Sequence, residues 1–168
     1  MRYIIIYIII LSVLSVKSQV YDFCKDVNGS MWIATYSGGI TVYNGFETHY
    51  FNTENGLPGN YVISLLAASD NKIWIGTTEG LSYYNGKTFT KIDDKKNNLI
   101  VTTIWDLCED QNGNIWIASN KGLWKYSGEE LVAFEQFKDD IVYLVELGNH
   151  NDVYIQSSNK GIVRYHNN

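Results

Sequence analysis

A segment of about 42 residues occurs three times in this chain and returns a fourth time in a shortened form. Its most constant residue is a tryptophan, and the four members of this series, here called the anchor residues, are Trp32, Trp74, Trp116 and Tyr154. A glycine follows each anchor residue by six or seven positions: Gly39, Gly80, Gly122 and Gly161. A period of this length is typical of repeat architectures, so each residue is interpreted by its place in the repeat.

Each unit of the repeat predicts short β-strands joined by turns. In the third unit, the apolar run 103–109 is followed by turn-forming residues 110–114 and by a second run, 115–119. The dipeptide Asn112-Gly113 favours the tight turn of a hairpin. Four antiparallel strands in a repeat of this length form the blade of a β-propeller, so the predicted fold class is all-β. The repeat domain spans residues 19–168, with units at 20–61, 62–103, 104–141 and 142–168.

The second strand of each unit is apolar at consecutive positions, as in Trp74-Ile75, so both of its faces must be covered. A blade meets this demand because it is packed between two neighbouring blades. Small residues follow the Trp-Ile pair, where adjacent sheets would approach closely: Ala34, Gly76 and Ala118. The anchor residues are therefore predicted to be core residues and not ligand contacts.

The first 18 residues have the pattern of a secretory signal peptide. One basic residue precedes the apolar run 3–14, and short side chains lie at Val16 and Ser18. We expect cleavage before Gln19 and a periplasmic or secreted product, without a membrane segment after cleavage. An uncleaved N-terminal anchor is the alternative.

The net charge bears on the class of partner, and the positions of the two cysteines bear on whether they form a disulfide. The net charge is −5, which disfavours nucleic acid or an anionic membrane as a partner. Cys24 and Cys108 hold the same place in the first and third units, so a whole unit lies between them. Because a disulfide requires its two Cα atoms to lie within about 7 Å, we expect two free, buried thiols.

The sequence predicts no catalytic site, cofactor or metal site. His49, His150 and His166 occupy unrelated places in the repeat, without metal-ligand spacing. The stretch 110–114 is explained by a hairpin turn, because it lacks the spacing of a calcium loop. No nucleophile motif such as Gly-x-Ser-x-Gly occurs. A propeller lyase is the enzymatic alternative.

The stretch 109–123 resembles the repeat of the two-component regulator propeller family, whose pattern is roughly E-D-x-x-G-x-L-W-I-G-T-x-x-G-L. Residues 55–60, Asn-Gly-Leu-Pro-Gly-Asn, resemble the segment that links two blades of that family. The second unit departs from the pattern at Ala67-Ala68, and the fourth at Tyr154 and Gln156. The resemblance implies the periplasmic sensor region of Bacteroidetes hybrid histidine kinases, which detect oligosaccharides.

The same resemblance implies that four units are an incomplete propeller, because sensors of the family carry more blades. We expect an open arc whose end blades associate with a second copy or with further blades, since exposed blade faces and strand edges are costly. A closed ring of four blades is the alternative.

A ligand is expected where the units differ, because packing residues are constrained to be alike. Aromatic residues stand at three such positions: Tyr36, Trp105 and Trp124. Exposed aromatic rings can stack on sugars, although these residues would also serve to fill gaps in the core. The predicted function is a non-catalytic, glycan-sensing module, and the alternative is an inert fragment or a protein-interaction module without a ligand.

Overall fold

The computed structural model of the chain describes residues 19–92, 102–128 and 130–166. The predicted signal peptide, residues 1–18, lies outside them. Over the described residues the chain forms β-strands and three single-turn 3-10 helices, and no helix is long and apolar enough to cross a membrane. The strands are β1 (Val20–Lys25), β2 (Met31–Thr35), β3 (Gly39–Tyr43), β4 (Thr48–Phe51), β5 (Val62–Ala67), β6 (Ile73–Thr77), β7 (Gly80–Tyr84), β8 (Phe89–Lys91), β9 (Ile104–Glu109), β10 (Ile115–Ser119), β11 (Gly122–Tyr126), β12 (Leu131–Ala133), β13 (Val142–Leu147), β14 (Asp152–Ser157) and β15 (Gly161–His166).

The strands form four antiparallel sheets, each made from consecutive strands. Sheets 1, 2 and 3 contain β1–β4, β5–β8 and β9–β12, and sheet 4 contains the three strands β13–β15. The first strand of each sheet is the innermost, and extensive contacts join β1 to β5, β5 to β9 and β9 to β13. The all-β prediction of propeller blades is confirmed.

The two faces of each sheet are named here by the neighbour that they contact: the forward face lies toward the following sheet, and the rear face lies toward the preceding one. The forward face carries the anchor residue, and the rear face is the opposite one. The forward face of sheet 1 packs on the rear face of sheet 2, and the same arrangement joins sheet 2 to sheet 3 and sheet 3 to sheet 4. The core of the molecule therefore consists of three similar junctions between sheets.

The three anchor tryptophans are buried in these junctions, as predicted. Each ring contacts a tyrosine of the following sheet, with ring centroids 5.1 to 5.4 Å apart: Trp32 with Tyr84, Trp74 with Tyr126, and Trp116 with Tyr165. Burying roughly 200 Å² of a tryptophan side chain at about 25 cal/mol per Å² contributes about 5 kcal/mol to folding. The anchor residues are thus a main source of cohesion between the sheets.

The close approach of the sheets explains the small residues beside the anchors. A Cβ atom added at Gly76 would lie 2.2 Å from the Ser64 Oγ and 2.8 Å from a methyl group of Ile104 in the next sheet. Contacts this short are forbidden, so a larger residue would force sheets 2 and 3 apart. Ala34 and Ala118 are fully buried at the equivalent positions.

The two cysteines are both free. Cys108 is buried, whereas Cys24 is only partly buried. Burial raises the pKa of the Cys24 thiol to about 12, and it raises the pKa of the Cys108 thiol in the same direction. Both groups are therefore protonated and weakly nucleophilic at neutral pH.

The arrangement is an open arc and not a closed ring. No contact of comparable extent joins sheet 4 to sheet 1 over the described residues. Apolar side chains are exposed on the two outer faces of the arc, including Phe23 on sheet 1 and Tyr154 on sheet 4. Tyr154 is thus the one anchor residue whose side chain faces solvent.

Candidate functional site

A β-bulge interrupts each sheet at the start of its innermost strand. The pairing between the first two strands skips one residue, as between Val20 and Asp22 in sheet 1. The same shift occurs in the other three sheets. The four skipped residues, here called the bulge residues, are Tyr21, Ile63, Trp105 and Tyr143. A bulge leaves its extra residue unpaired and turns that side chain away from the regular alternation of the strand.

Two of the bulges place a tyrosine side chain outside the core, whereas Trp105 is partly buried against the core between sheets 3 and 4. The residue before each bulge residue in sheets 2, 3 and 4 is fully buried between sheets: Val62, Ile104 and Val142. In contrast, Tyr21 and Tyr143 are 43% and 44% exposed. Because the innermost strands are neighbours, the bulge residues form a row across the four sheets, at the N-terminal end of these strands.

Two further tyrosines extend this row beside sheet 1. Tyr36 lies in the turn after β2, and its ring stacks on Tyr21 with centroids 5.2 Å apart. Tyr61 immediately precedes β5 and contacts the Tyr36 ring edge-on at 4.9 Å. The Tyr36 amide donates to the Gln19 carbonyl at 2.9 Å, which fixes the turn against the start of β1. All three rings are partly exposed and are held in place by one another.

A second aromatic pair lies at the other end of the row. Trp105 and Tyr143 belong to adjacent sheets, and their ring centroids are 6.1 Å apart. The Trp105 indole Nε1 is buried and has no hydrogen-bond partner among the described residues. The aromatic bulge residues Tyr21, Trp105 and Tyr143, together with Tyr36 and Tyr61, are here called the aromatic rim.

The three predicted ligand-contacting residues fall in two different environments. Tyr36 and Trp105 belong to the aromatic rim. Trp124 is only 5% exposed on the rear face of sheet 3, where it packs in one cluster with Ala68 and Trp74. Its Nε1 donates to the Lys121 carbonyl at 3.1 Å. Burial of the Trp124 ring argues against direct contact with a ligand.

Sequence reasoning did not select Tyr21, Tyr61 and Tyr143. A signal was present for two of them, because Tyr21 and Tyr143 hold the same place in the repeat as Trp105. Large aromatic residues at this one repeat position in three of the four units, outside the anchor pattern, indicate that the position has a shared role.

Two carboxylates next to bulge residues hold the innermost strands together. Asp22 Oδ2 accepts a hydrogen bond from the Leu65 amide of sheet 2 at 2.7 Å. Asp106 Oδ2 accepts one from the Val145 amide of sheet 4 at 2.9 Å. Burial raises the pKa of Asp22, and it raises the pKa of Asp106 to about 6, although these amides oppose the shift. Both carboxylates therefore have a structural partner beside the rim.

The histidines do not converge with other possible ligands. His49 contacts Glu47 at 3.5 Å, and His166 contacts Asp152 at 2.7 Å in a different sheet. In the part of the chain that the structure describes, no group of three or more His, Cys, Asp and Glu side chains could hold a metal ion.

The fold is similar to those of several solved extracellular proteins and enzymes. The extracellular domain assigned to a hybrid two component system of B. thetaiotaomicron matches with a TM-score of 0.72 and 22% identity, covering 88% of this chain and 20% of that one. A domain assigned to a one component system of the same organism gives 0.78 and 23%, with 89% and 21% covered. Virginiamycin B lyase from Staphylococcus aureus gives 0.63 and 14%, with 86% and 54% covered.

These identities are low, so the likeness concerns the fold alone. The chain spans about a fifth of the length of the two B. thetaiotaomicron domains. No curated protein matches the sequence.

The repeats themselves match a known family. The two component regulator propeller family matches residues 15–37, 56–79 and 94–121. These segments include the anchor residues Trp32, Trp74 and Trp116 together with the innermost strands of the first three sheets. These three segments are therefore repeats of the two component regulator propeller type.

Proposed function

We propose that this chain is a non-catalytic recognition module of a periplasmic two-component sensor and that it binds an oligosaccharide on the aromatic rim. The observation that carries the proposal is the set of partly exposed aromatic rings on the innermost strands of sheets 1, 3 and 4 and in the segments beside β1 and β5. Because rings such as Tyr21 and Tyr36 are already stacked on each other, binding would require little further ordering of side chains. The signal-peptide pattern of residues 1–18 supports the periplasmic location.

The chemistry of the rim favours a sugar over other ligand classes. The faces of sugar rings are lined by C–H groups, which pack well on tyrosine and tryptophan rings, while the phenolic hydroxyls can bond the sugar hydroxyls. A row that crosses four sheets is longer than one sugar ring, so an oligosaccharide fits it better than a monosaccharide. The net charge of −5 disfavours polyanionic ligands.

The carboxylates nearest the rim support a role without chemistry. Asp22 and Asp106 accept hydrogen bonds from backbone amides of neighbouring sheets, so both carboxylates have a structural role. A general acid or base needs a carboxyl group that is free to reach the substrate. Propeller lyases show that this fold can support catalysis, and turnover of a glycan by the purified protein would contradict the proposal.

Glycan binding is tested with the purified protein on a glycan array, followed by calorimetry on each positive. We expect Tyr36→Ala and Trp105→Ala each to weaken binding about tenfold or more, because a stacked aromatic residue contributes on the order of 1–3 kcal/mol. The matched control is Phe46→Ala. Phe46 is almost fully exposed but lies in the turn between β3 and β4, at the opposite end of the strands from the rim.

Two results would decide against this site. Binding that survives both rim substitutions would place the ligand elsewhere on the arc. The absence of binding to every glycan would instead favour a protein-interaction module, since an exposed aromatic surface also suits a protein partner.

A further inference from the structure

The three junctions inside the arc share one pattern of contacts. On the forward face, the residue after the conserved glycine is buried by the next sheet: Ile40, Leu81 and Leu123, at 0%, 0% and 1% exposure. On the rear face, the matching inner-strand residue is buried by the preceding sheet: Leu65, Leu107 and Val145, at 7%, 7% and 1%. Each junction therefore joins an apolar forward face to an apolar rear face.

The two outer faces of the arc carry the same positions without a covering sheet. Ile162 holds the forward position in sheet 4 and is 79% exposed, while Phe23 holds the rear position in sheet 1 and is 65% exposed. Leu144 and Tyr154 are also exposed on the forward face of sheet 4. One end of the molecule thus presents half of a junction, and the other end presents the complementary half.

Backbone amides on the innermost strands distinguish two kinds of junction. The amides of Leu65 and Val145 donate to Asp22 and Asp106 of the preceding sheet. Sheet 2 has Ser64 in place of that aspartate. At the junction between sheets 2 and 3, the amide of Leu107 instead donates to Asp106 of its own strand.

Sheets 4 and 1 have the residues of this second kind of junction. Sheet 4 has Leu144 in place of the aspartate, so it offers no acceptor to a following sheet. The Phe23 amide of sheet 1 already donates to Asp22 Oδ1 of its own strand at 2.7 Å. If sheet 4 packed on sheet 1 of another copy, Phe23 and Leu144 would meet as apolar side chains, and the Phe23 amide would keep its acceptor.

Charge also matches at this contact. Inside the arc, the Cys24 thiol of sheet 1 accepts a hydrogen bond from the Ala67 amide of sheet 2. The corresponding positions are Glu146 on sheet 4 and Lys25 on sheet 1, and both side chains are exposed. Packing of one copy on another would place this carboxylate beside this ammonium group.

We propose that the forward face of sheet 4 packs on the rear face of sheet 1 of a second copy, and that two copies close into a ring of eight sheets. This contact is head-to-tail, and such contacts form a ring when the rotation closes. Eight sheets fall within the four to eight blades of known propellers. Closure covers both outer faces of each copy, so no junction face is left exposed to water.

The mass of the purified protein in solution is the first test. Sedimentation equilibrium over a range of concentrations should give a reversible dimer without larger species. A monomer at the highest soluble concentration would overturn the proposal, as would an indefinite series of oligomers, because the contact would then not close.

Substitutions at the contact identify the faces involved. Ile162→Asp should lower the association constant about thirtyfold, because it places a charge in an apolar contact. Glu146→Lys and Lys25→Glu should each lower it about tenfold by setting like charges opposite each other. The double variant Glu146→Lys with Lys25→Glu should restore association to within about threefold of wild type.

Phe46→Asp is the matched control, because Phe46 is exposed in a turn outside both faces. Circular dichroism and Tm at low protein concentration verify that each variant is folded. A dimer that is insensitive to Ile162→Asp, or a charge-swapped pair that stays as weak as the single variants, would show that copies associate through other surfaces and would refute the proposed contact.

Discussion

Two rows of aromatic residues run across this molecule, and they occupy opposite environments. The anchor residues Trp32, Trp74 and Trp116 are buried between sheets, where each contacts a tyrosine of the next sheet. The bulge residues Tyr21, Trp105 and Tyr143 recur with the same period but are partly exposed at one end of the innermost strands. Periodicity alone therefore does not separate core aromatic residues from surface ones.

The difference between the rows arises from pairing between strands. Trp116 lies within a regular ladder, opposite Cys108 and Lys125, so its side chain must point toward the neighbouring sheet. Tyr143 is skipped by the ladder, which passes directly from Val142 to Leu144, and it is 44% exposed. One extra residue per strand is enough to turn an aromatic side chain out of the core, at little cost to the rest of the sheet.

Removal of one ring from each row should give the largest contrast. Trp116→Ala should lower the free energy of unfolding by about 3–5 kcal/mol, because it leaves a cavity at a sealed junction. Tyr143→Ala should lower it by about 1 kcal/mol or less, since this residue is already 44% exposed. Urea denaturation at one fixed protein concentration measures both, so that association affects them equally. Equal losses of unfolding free energy would mean that the rim residues stabilise the fold as much as the anchor residues do.

The carboxylate beside Trp105 should make the folding stability depend on pH. Asp106 has a folded-state pKa of about 6, above its ordinary value of 3.8, chiefly because burial disfavours its charge. Between these values the folded state binds more protons than the unfolded state, so the stabilising contribution of this group is present at about pH 4 and is lost as pH rises through about 6. The shift corresponds to about 2–3 kcal/mol.

Asp106→Asn tests this dependence, because the amide oxygen can still accept the Val145 hydrogen bond. We expect the variant to be more stable than wild type at pH 7 and nearly equal to it at pH 4. Asp22 acts in the same direction, so the difference between variant and wild type is the quantity to measure. If the difference in stability between variant and wild type does not change with pH, the pKa of Asp106 is not raised in the folded state.

A smaller effect on stability should follow from giving the Trp74 indole the acceptor that the other two anchor tryptophans have. Trp32 and Trp116 donate through Nε1 to Asp26 and Asp110 at 3.0 Å, whereas the buried Nε1 of Trp74 has no partner among the described residues. Ala68 stands at the equivalent position in sheet 2. Ala68→Asp should raise the free energy of unfolding by about 1 kcal/mol, as expected for one hydrogen bond to a charged group after part of the gain is lost to desolvation.

The control for this prediction is the same substitution in a Trp74→Phe background. Phenylalanine lacks the donor, so the gain from Ala68→Asp should disappear there. A gain in stability that persists in the Trp74→Phe background would come from the turn at residue 68 and not from a hydrogen bond to the Trp74 indole.

Part of the candidate site was predictable from sequence, and the part that was not has a clear physical reason. Tyr36, Trp105 and Trp124 were selected because sister units carry other residues at these positions. The structure places the first two on the rim and buries Trp124 in the core cluster between sheets 2 and 3. Variation between units marks a gap in the core as readily as a binding surface, and only packing distinguishes the two.

The sequence by itself determined the blades. The apolar runs, the hairpin turns such as Asn112-Gly113 and the Trp-Ile pairs are local features. Together they specify strands and a two-sided core without reference to distant residues. Tertiary structure alone decided where the bulges fall, and thus which aromatic residues face water. It also decided which apolar side chains the two outer faces of the open arc expose, such as Phe23 and Ile162. These properties depend on strand register and on the angle between sheets, which are set by contacts between units that no single segment encodes.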